Sequence, residues 1–234
     1  WPDCYILKAL RYPGSQYSKE EAIRARKAFY AQCTQIDYEI RLLIGTLREC
    51  NLLDDTIIVF LSDHGDMLFD HNMVAKRLMY DNSARIPLII TGKPALEYRG
   101  KGYEDKLATM SDVMPTLLDM CGISIPDHVD GFPLFSSNKR EYIYGEVSNG
   151  EKATRMIRNE RYKLIYYPTG NVKQLFDMVN DPHETHDLSG TDEYKPILES
   201  MEKTLITELY GSDLDWIKDG RLVGVEAPAE FQPN

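Results

Sequence analysis

The sequence predicts a layered α/β protein followed by a small antiparallel sheet covered by a helix. Three observations carry this. Apolar residues recur at helical spacing over Ala22, Ala25, Phe29, Cys33, Ile36, Ile40, Leu43 and Leu47. That pattern runs into an unbroken apolar stretch, Ile57 to Leu61, which reads as a strand buried on both faces. From about residue 140, short β-rich runs alternate with turn residues. The change of pattern sets a boundary, with residues 1–135 as the α/β part and 136–234 as an antiparallel subdomain with helix and tail.

The first helix opens at Ser18-Lys19-Glu20-Glu21, a capping box with Glu21 three residues after the N-cap. It should end near Asn51. Arg24, Arg26 and Lys27 fall mostly on its other face and read as a solvated surface. The strand over 56–61 follows, ending in Ser62-Asp63-His64-Gly65. Met67 to Arg85 is a dense polar segment before the next strand, 86–91, with Ile86-Pro87-Leu88-Ile89-Ile90. Residues 92–106, rich in Gly, Pro and charge, read as a loop. Ser111 to Gly122 reads as a short helix, with Pro115 in its first turn and Gly122 closing it. Tyr142–Val147, Ala153–Arg158, Arg161–Tyr167 and Lys173–Asp177 read as strands, with turns at Asn159-Glu160 and Thr169-Gly170-Asn171. Residues 192–210 should form a helix over one face of that sheet, and the tail after Gly211 should be an extended arm.

The 234 residues are 43% hydrophobic, enough for a packed core. A net charge of −10 argues against nonspecific nucleic-acid or anionic-membrane partners. No apolar run nears the roughly 20 residues of a spanning helix. Trp1-Pro2-Asp3-Cys4 is neither a signal peptide nor an initiator start, so upstream sequence is expected to have been removed. Cys4, Cys33, Cys50 and Cys121 are scattered without a C-x-x-C pair and read as free or buried thiols, leaning toward a reducing compartment. His183-Glu184-Thr185-His186 has the wrong spacing for a zincin helix and reads as a surface loop.

The chemistry concentrates just past the strand end, the edge where open α/β sheets bind ligands. Asp63 and His64 offer an oxygen and a nitrogen to one cation; the alternative is a capped, satisfied loop. The run from Ser62 to Leu88 resembles the sulfatase family of the alkaline phosphatase superfamily. The elements that carry this are Ser62-Asp63-His64-Gly65, Asp70-His71, Lys76 twelve residues after His64, Tyr80-Asp81 and Arg85-Ile86-Pro87-Leu88. The resemblance continues through Ser111 to Leu118, Arg155 to Arg158, Arg161 to Ile165, Leu175-Phe176-Asp177 and Asn180 to Glu184. It implies the C-terminal part of an alkaline phosphatase-like sheet with helices, and then the small antiparallel subdomain.

By this resemblance Asp63 and His64 are metal ligands, and Lys76 is catalytic, binding an oxygen of the sulfate or phosphate group. A compact ammonium suits a tetrahedral oxyanion, and cation plus ammonium neutralise charge as it develops. The implied cofactor is a divalent metal. An imidazole ligand favours manganese or magnesium, while calcium is common in the family. His71 is a candidate for substrate binding or for orienting a neighbour, and Asp66 and Asp70 for supporting or capping roles. Phe69 and Ala75 stand where the family often has Gly.

The family's nucleophile, a formylglycine made in a C/S-x-P-x-R motif, has no counterpart here. The early Asp-Asp ligands and the upstream catalytic His are absent as well. The chain therefore reads as the C-terminal portion of a sulfatase, inactive alone, with a bare sheet edge favouring self-association. The expected substrate is a small-molecule or saccharide sulfate ester. The alternatives are a phosphodiesterase or phosphonate monoester hydrolase of the same superfamily, and a noncatalytic module binding an anion or a partner chain.

Overall fold

The computed structural model describes residues 12–13, 17–103 and 105–226. The chain divides into two compact units, one of residues 1–16, 64–85 and 141–234, the other of residues 17–63 and 86–140. The segment 64–85 therefore folds with the antiparallel sheet, although in the chain it lies between strands of the other unit.

In the unit of residues 17–63 and 86–140, helix α1 spans Lys19–Glu49. Ser18 is its N-cap; its hydroxyl accepts from Glu21 N–H while the Glu21 carboxylate accepts from Ser18 N–H, the expected capping box. None of its 31 residues is buried. Strand β2, Ile58–Leu61, pairs antiparallel with the later strand Leu88–Thr91. This corrects the expectation of a strand buried on both faces: the strand that leads to Asp63 pairs antiparallel and keeps one face partly exposed. Phe60 lies opposite Ile89, and they are 37% and 54% exposed. The reason is geometric. Among the described residues this sheet has two strands, so it lacks the layers that bury a central strand. The segment 92–106 also holds a helix, Lys93–Arg99, which the sequence reading missed. Pro94 sits in its first turn, where its missing N–H costs nothing. A further helix, Val113–Met120, is preceded by a turn in which the buried Asp112 carboxylate takes Thr109 N–H and pairs with Arg140.

In the other unit, strand β1 (Tyr12–Pro13) pairs with β3 (Met73–Val74). Helix α2 is Asp81–Ala84. With the strand Leu88–Thr91 as β4, and the helices Lys93–Arg99 and Val113–Met120 as α3 and α4, the main sheet is β5 (Ile143–Val147), β6 (Thr154–Arg158), β7 (Tyr162–Tyr167) and β8 (Val172–Asp177). It is antiparallel throughout, in the order β5-β6-β7-β8. Its side chains alternate cleanly between two cores. Ile157, Leu164, Tyr166 and Leu175 pack under helix α5 (Lys195–Glu208) with Met201 and Leu205. Met156, Ile165, Tyr167 and Phe176 pack on the opposite face against Met67, Met73, Leu78, Met79 and Tyr80. The segment that carries Lys76 is thus the second layer of this sheet.

The tail through residue 226 is not the extended arm expected. A 3-10 turn at Gly211–Trp216 leads into the hairpin β9 (Ile217–Lys218) and β10 (Arg221–Leu222). Trp216 and Leu222 are buried in the core under α5, and Val225 bridges to Thr169. Two apolar anchors are enough to fold the tail back. No helix among the described residues is long and apolar enough to cross a membrane. Cys33, Cys50 and Cys121 are free and exposed; Cys4 lies outside the described residues.

Candidate active site

The chain from His64 to Arg85 is held by backbone ties rather than by regular structure. Gly65 N–H donates to the Ser83 carbonyl at 2.9 Å, Met67 N–H to Ala75 at 2.7 Å and Phe69 N–H to Met73 at 2.9 Å. The loop turns so tightly that Leu68, Phe69, His71, Asn72, Ala75 and Arg77 all have φ between 45° and 71°. That left-handed region suits glycine and costs other residues energy. Phe69 and Ala75, at the positions where the resemblance leads one to expect glycine, are both among them, so their backbone has a glycine-like shape.

His64 is half-buried, and its Nδ1 lies 2.8 Å from the Gly65 carbonyl. A carbonyl can only accept, so Nδ1 carries the proton and Nε2 keeps its lone pair. The exposed Lys76 brings its Nζ to 2.6 Å from that Nε2. Two residues singled out twelve positions apart therefore meet. Gly65 is required for this: a Cβ there would stand 2.0 Å from the Asn82 carbonyl oxygen.

Asp63 is exposed and follows β2 by two residues, with Ser62 Oγ 3.5 Å from its Oδ1. The division between the two units falls at the Asp63–His64 bond. Asp66 accepts Leu68 N–H at 2.9 Å and so shapes the loop. Asp70 is hydrogen-bonded by the Asn82 carboxamide, tying the 3-10 turn at 70–72 to α2. His71 stacks on Tyr80 with ring centroids 4.4 Å apart and 14° between planes. Burial lowers its pKa below the usual histidine value, against an opposing pull from Asp70.

Below this loop lies a charged cluster that the sequence reading did not identify. Lys163 and Glu184 are 1% and 2% exposed in their side chains, with Nζ and Oε1 2.7 Å apart. Lys163 also donates to Asp81 and, at 3.0 Å, to the Met79 carbonyl. Arg158 donates to both Asp81 oxygens at 2.8 and 2.9 Å. Burial raises the Asp81 pKa, but Lys163 and Arg158 outweigh it and leave it lowered; for Glu184 burial prevails and the pKa is raised. A signal was legible: Lys163 shares the period-2 face of Ile165 and Tyr167, an inward position for a lysine. Residues 183–186 form no helix, as expected, and Thr185 and His186 are exposed and bonded to Asp181, but Glu184 is buried, so the surface-loop reading holds only in part.

The family typically uses a metal ion, and the donor types fit: a carboxylate at Asp63 and an imidazole Nε2 at His64. Among the described residues no three His, Cys, Asp or Glu side chains form a group able to hold a metal. Asp63 and His64 are then two donors of the three or four such sites use.

A family model described as "Sulfatase" matches residues 8–123, and one described as "N-sulphoglucosamine sulphohydrolase, C-terminal" matches residues 69–210. An arylsulfatase of Clostridium perfringens is 36% identical over 88% of this chain and 44% of its own length. Human arylsulfatase K is 32% identical over 72% of this chain and 34% of its own length. The chain spans less than half the length of these relatives. A 2-O glycosaminoglycan sulfatase superposes with a TM-score of 0.74 at 27% identity, over 82% of this chain and 44% of that one. A structure described in complex with its substrate D-glucosamine-2-N,6-O-disulfate gives a TM-score of 0.62 at 27% identity, over 74% and 38%. A phosphonate monoester hydrolase from Silicibacter pomeroyi gives 0.65 at 25%, over 82% and 43%. The family models together run from residue 8 to residue 210, across both the loop that joins His64 to Lys76 and the sheet beneath it, and this chain belongs to the sulfatase family.

Proposed function

We propose that this chain carries the cation-binding and oxyanion-binding residues of a sulfatase site acting on sulfate esters of saccharides. The observation that carries the reading is the meeting of Lys76 Nζ with His64 Nε2 at 2.6 Å on a tightly shaped loop. A divalent cation bound at Asp63 and His64 would supply Lewis-acid charge to the transferring group. The His64 tautomer set by Gly65 leaves Nε2 as the ligating nitrogen. One lone pair cannot serve both cation and ammonium, so Lys76 would turn from His64 toward an ester oxygen. There its charge offsets that developing on the oxyanion. His71, stacked on Tyr80, would hold the loop's shape rather than exchange protons. The nucleophile belongs to a segment outside these residues, so the chain alone is inactive in this reading. A saccharide substrate is favoured by the relative bound to a glucosamine disulfate.

A second reading, a phosphonate monoester hydrolase, is favoured by the likeness to the Silicibacter pomeroyi enzyme. The test is a panel of aryl sulfate, sulfated glucosamine, phosphate diester and phosphonate monoester, given to the protein with its nucleophile-bearing region, with and without Lys76→Ala. The sulfatase reading expects the sulfate esters to turn over fastest and Lys76→Ala to lower kcat/KM on the order of 10²–10³-fold. Preference for the phosphonate ester would establish the second reading. An unchanged rate in Lys76→Ala would exclude the lysine from the site.

A further inference from the structure

We propose that Glu184, with Lys163, is a positioning residue for His64, acting through a chain of hydrogen bonds that runs along the segment packed on the antiparallel sheet. Its functional weight rests on the reading of His64 as a site residue. Glu184 Oε2 accepts the N–H of Asp81 at 2.6 Å, pinning the start of α2. Two residues on, the Ser83 carbonyl accepts Gly65 N–H at 2.9 Å. The Gly65 carbonyl in turn accepts Nδ1–H of His64 at 2.8 Å. Each link is a single well-placed hydrogen bond, and the last one selects the tautomer.

The same buried pair holds the other arm of the loop. Lys163 Nζ reaches the Met79 carbonyl at 3.0 Å, three residues beyond Lys76. The backbone beside His64 and the backbone three residues past Lys76 are thereby tied to one charge pair. The cluster is larger and more polar than packing requires. The surrounding core, with Met67, Met79, Tyr80 and Phe176, is mainly apolar, with Gln174 buried beside the Tyr80 and Tyr167 hydroxyls, and apolar residues in place of a buried ion pair are often neutral or stabilising. Glu184 itself has φ 56°, a strained backbone conformation that turns its carboxylate inward while Thr185 and His186 face solvent. Strain and burial hold one carboxylate oxygen on the Lys163 ammonium and the other on the Asp81 N–H.

The experiment reads the His64 ring directly by side-chain nitrogen NMR of the full chain, above the histidine titration range, without metal or substrate. Wild type should show one tautomer, protonated at Nδ1. Lys163→Met combined with Glu184→Met removes both charges and the acceptor while keeping volume. It should fold, and its His64 should become a mixture of tautomers. Lys163→Met combined with Glu184→Gln keeps an oxygen for Asp81 N–H and should restore the single tautomer. A folded double-methionine chain with His64 still wholly protonated at Nδ1 would overturn the proposal. Native-state hydrogen exchange on wild type gives a measurement independent of any variant. The amides of Gly65 and Asp81 should be released by one shared opening. Exchange of Gly65 about tenfold or more ahead of Asp81 would overturn it equally. Where wild type binds Mn²⁺, the double-methionine chain should bind it about 10–100-fold more weakly. The tautomer and exchange readouts stand whether or not Asp63 and His64 prove to be ligands.

Discussion

Gly65 shows how much one residue can decide. Its N–H anchors the loop to Ser83, its carbonyl orients His64, and its missing Cβ admits the Asn82 carbonyl. Gly65→Ala forces backbone against backbone, since the atoms its Cβ would meet are the main chain of Asn82 and Arg85 rather than a flexible side chain. We expect a loss of about 1–3 kcal/mol of stability by denaturant titration, with His64 displaced from the Gly65 carbonyl. Asp177 makes a second residue-level case. Burial pushes its pKa up, but Arg161 and the amides of Val179 and Asn180 outweigh this and bring it to about 2. A depressed carboxylate stabilises the fold above its unfolded pKa, near 3.9, and that contribution is lost as pH falls through the folded value. Thermal melts from pH 5 downward should therefore show a fall in Tm that Asp177→Asn flattens. An equal slope in both proteins would show that Asp177 is not a source of the acid sensitivity.

The loop from Gly65 to Tyr80 is an element built from exceptions. Six non-glycine residues share the left-handed region, and the segment has no helix or strand longer than a few residues. It persists because Met67, Met73, Leu78, Met79 and Tyr80 are buried against the sheet. Packing imposes a shape that local preference opposes. Ala75, at φ 62°, should accordingly prefer to be glycine. Ala75→Gly relieves about 1–2 kcal/mol of left-handed strain, partly offset by the freer unfolded chain. A net gain of a few tenths to about 1 kcal/mol in chemical denaturation is expected. A loss would mean that the Ala75 methyl contributes packing. Other elements followed local rules. The helix from Lys19 and its capping box were readable from four residues, because capping is a contact between near neighbours. The helix Lys93–Arg99 was hidden by Gly92 and Pro94, residues that mark loops as often as helix starts.

For the molecule as a whole, the unit of residues 17–63 and 86–140 is the less self-contained. α1 buries no residue, and Ile36, Leu42 and Leu43 stand 50–65% exposed along it. Phe60 and Ile89 present a second apolar face on a sheet of two strands among the described residues. Such surfaces favour burial against another chain. The chain of residues 1–234 should therefore self-associate in a concentration-dependent way, read by sedimentation or light scattering. A monomer at all concentrations would show that these faces are tolerated in water. Incubated with an aryl sulfate and excess Mn²⁺ or Ca²⁺, the same chain should give no turnover, because Lys76 and two candidate ligands do not replace a covalent catalyst. Turnover would place a nucleophile within these residues.

Much of this protein was written locally. The order Ser62-Asp63-His64-Gly65, then Lys76, then Tyr80-Asp81 and Arg85 to Leu88, identified the family, because a short motif records chemistry that needs those atoms at that spacing. The strands of the second sheet were readable from their alternation, which reflects one face per side chain. Pairing direction was not. Ile57 to Leu61 has the composition of a buried parallel strand, yet its register and its burial depend on which strand lies beside it, and no local pattern encodes that neighbour. Nor was the charge pair of Lys163 and Glu184 visible, since its partners are 21 residues apart and Asp81 lies 82 residues before Lys163. Only folding the sheet against the loop from His64 to Arg85 brings these groups together, and it does so because the apolar residues between them leave water together.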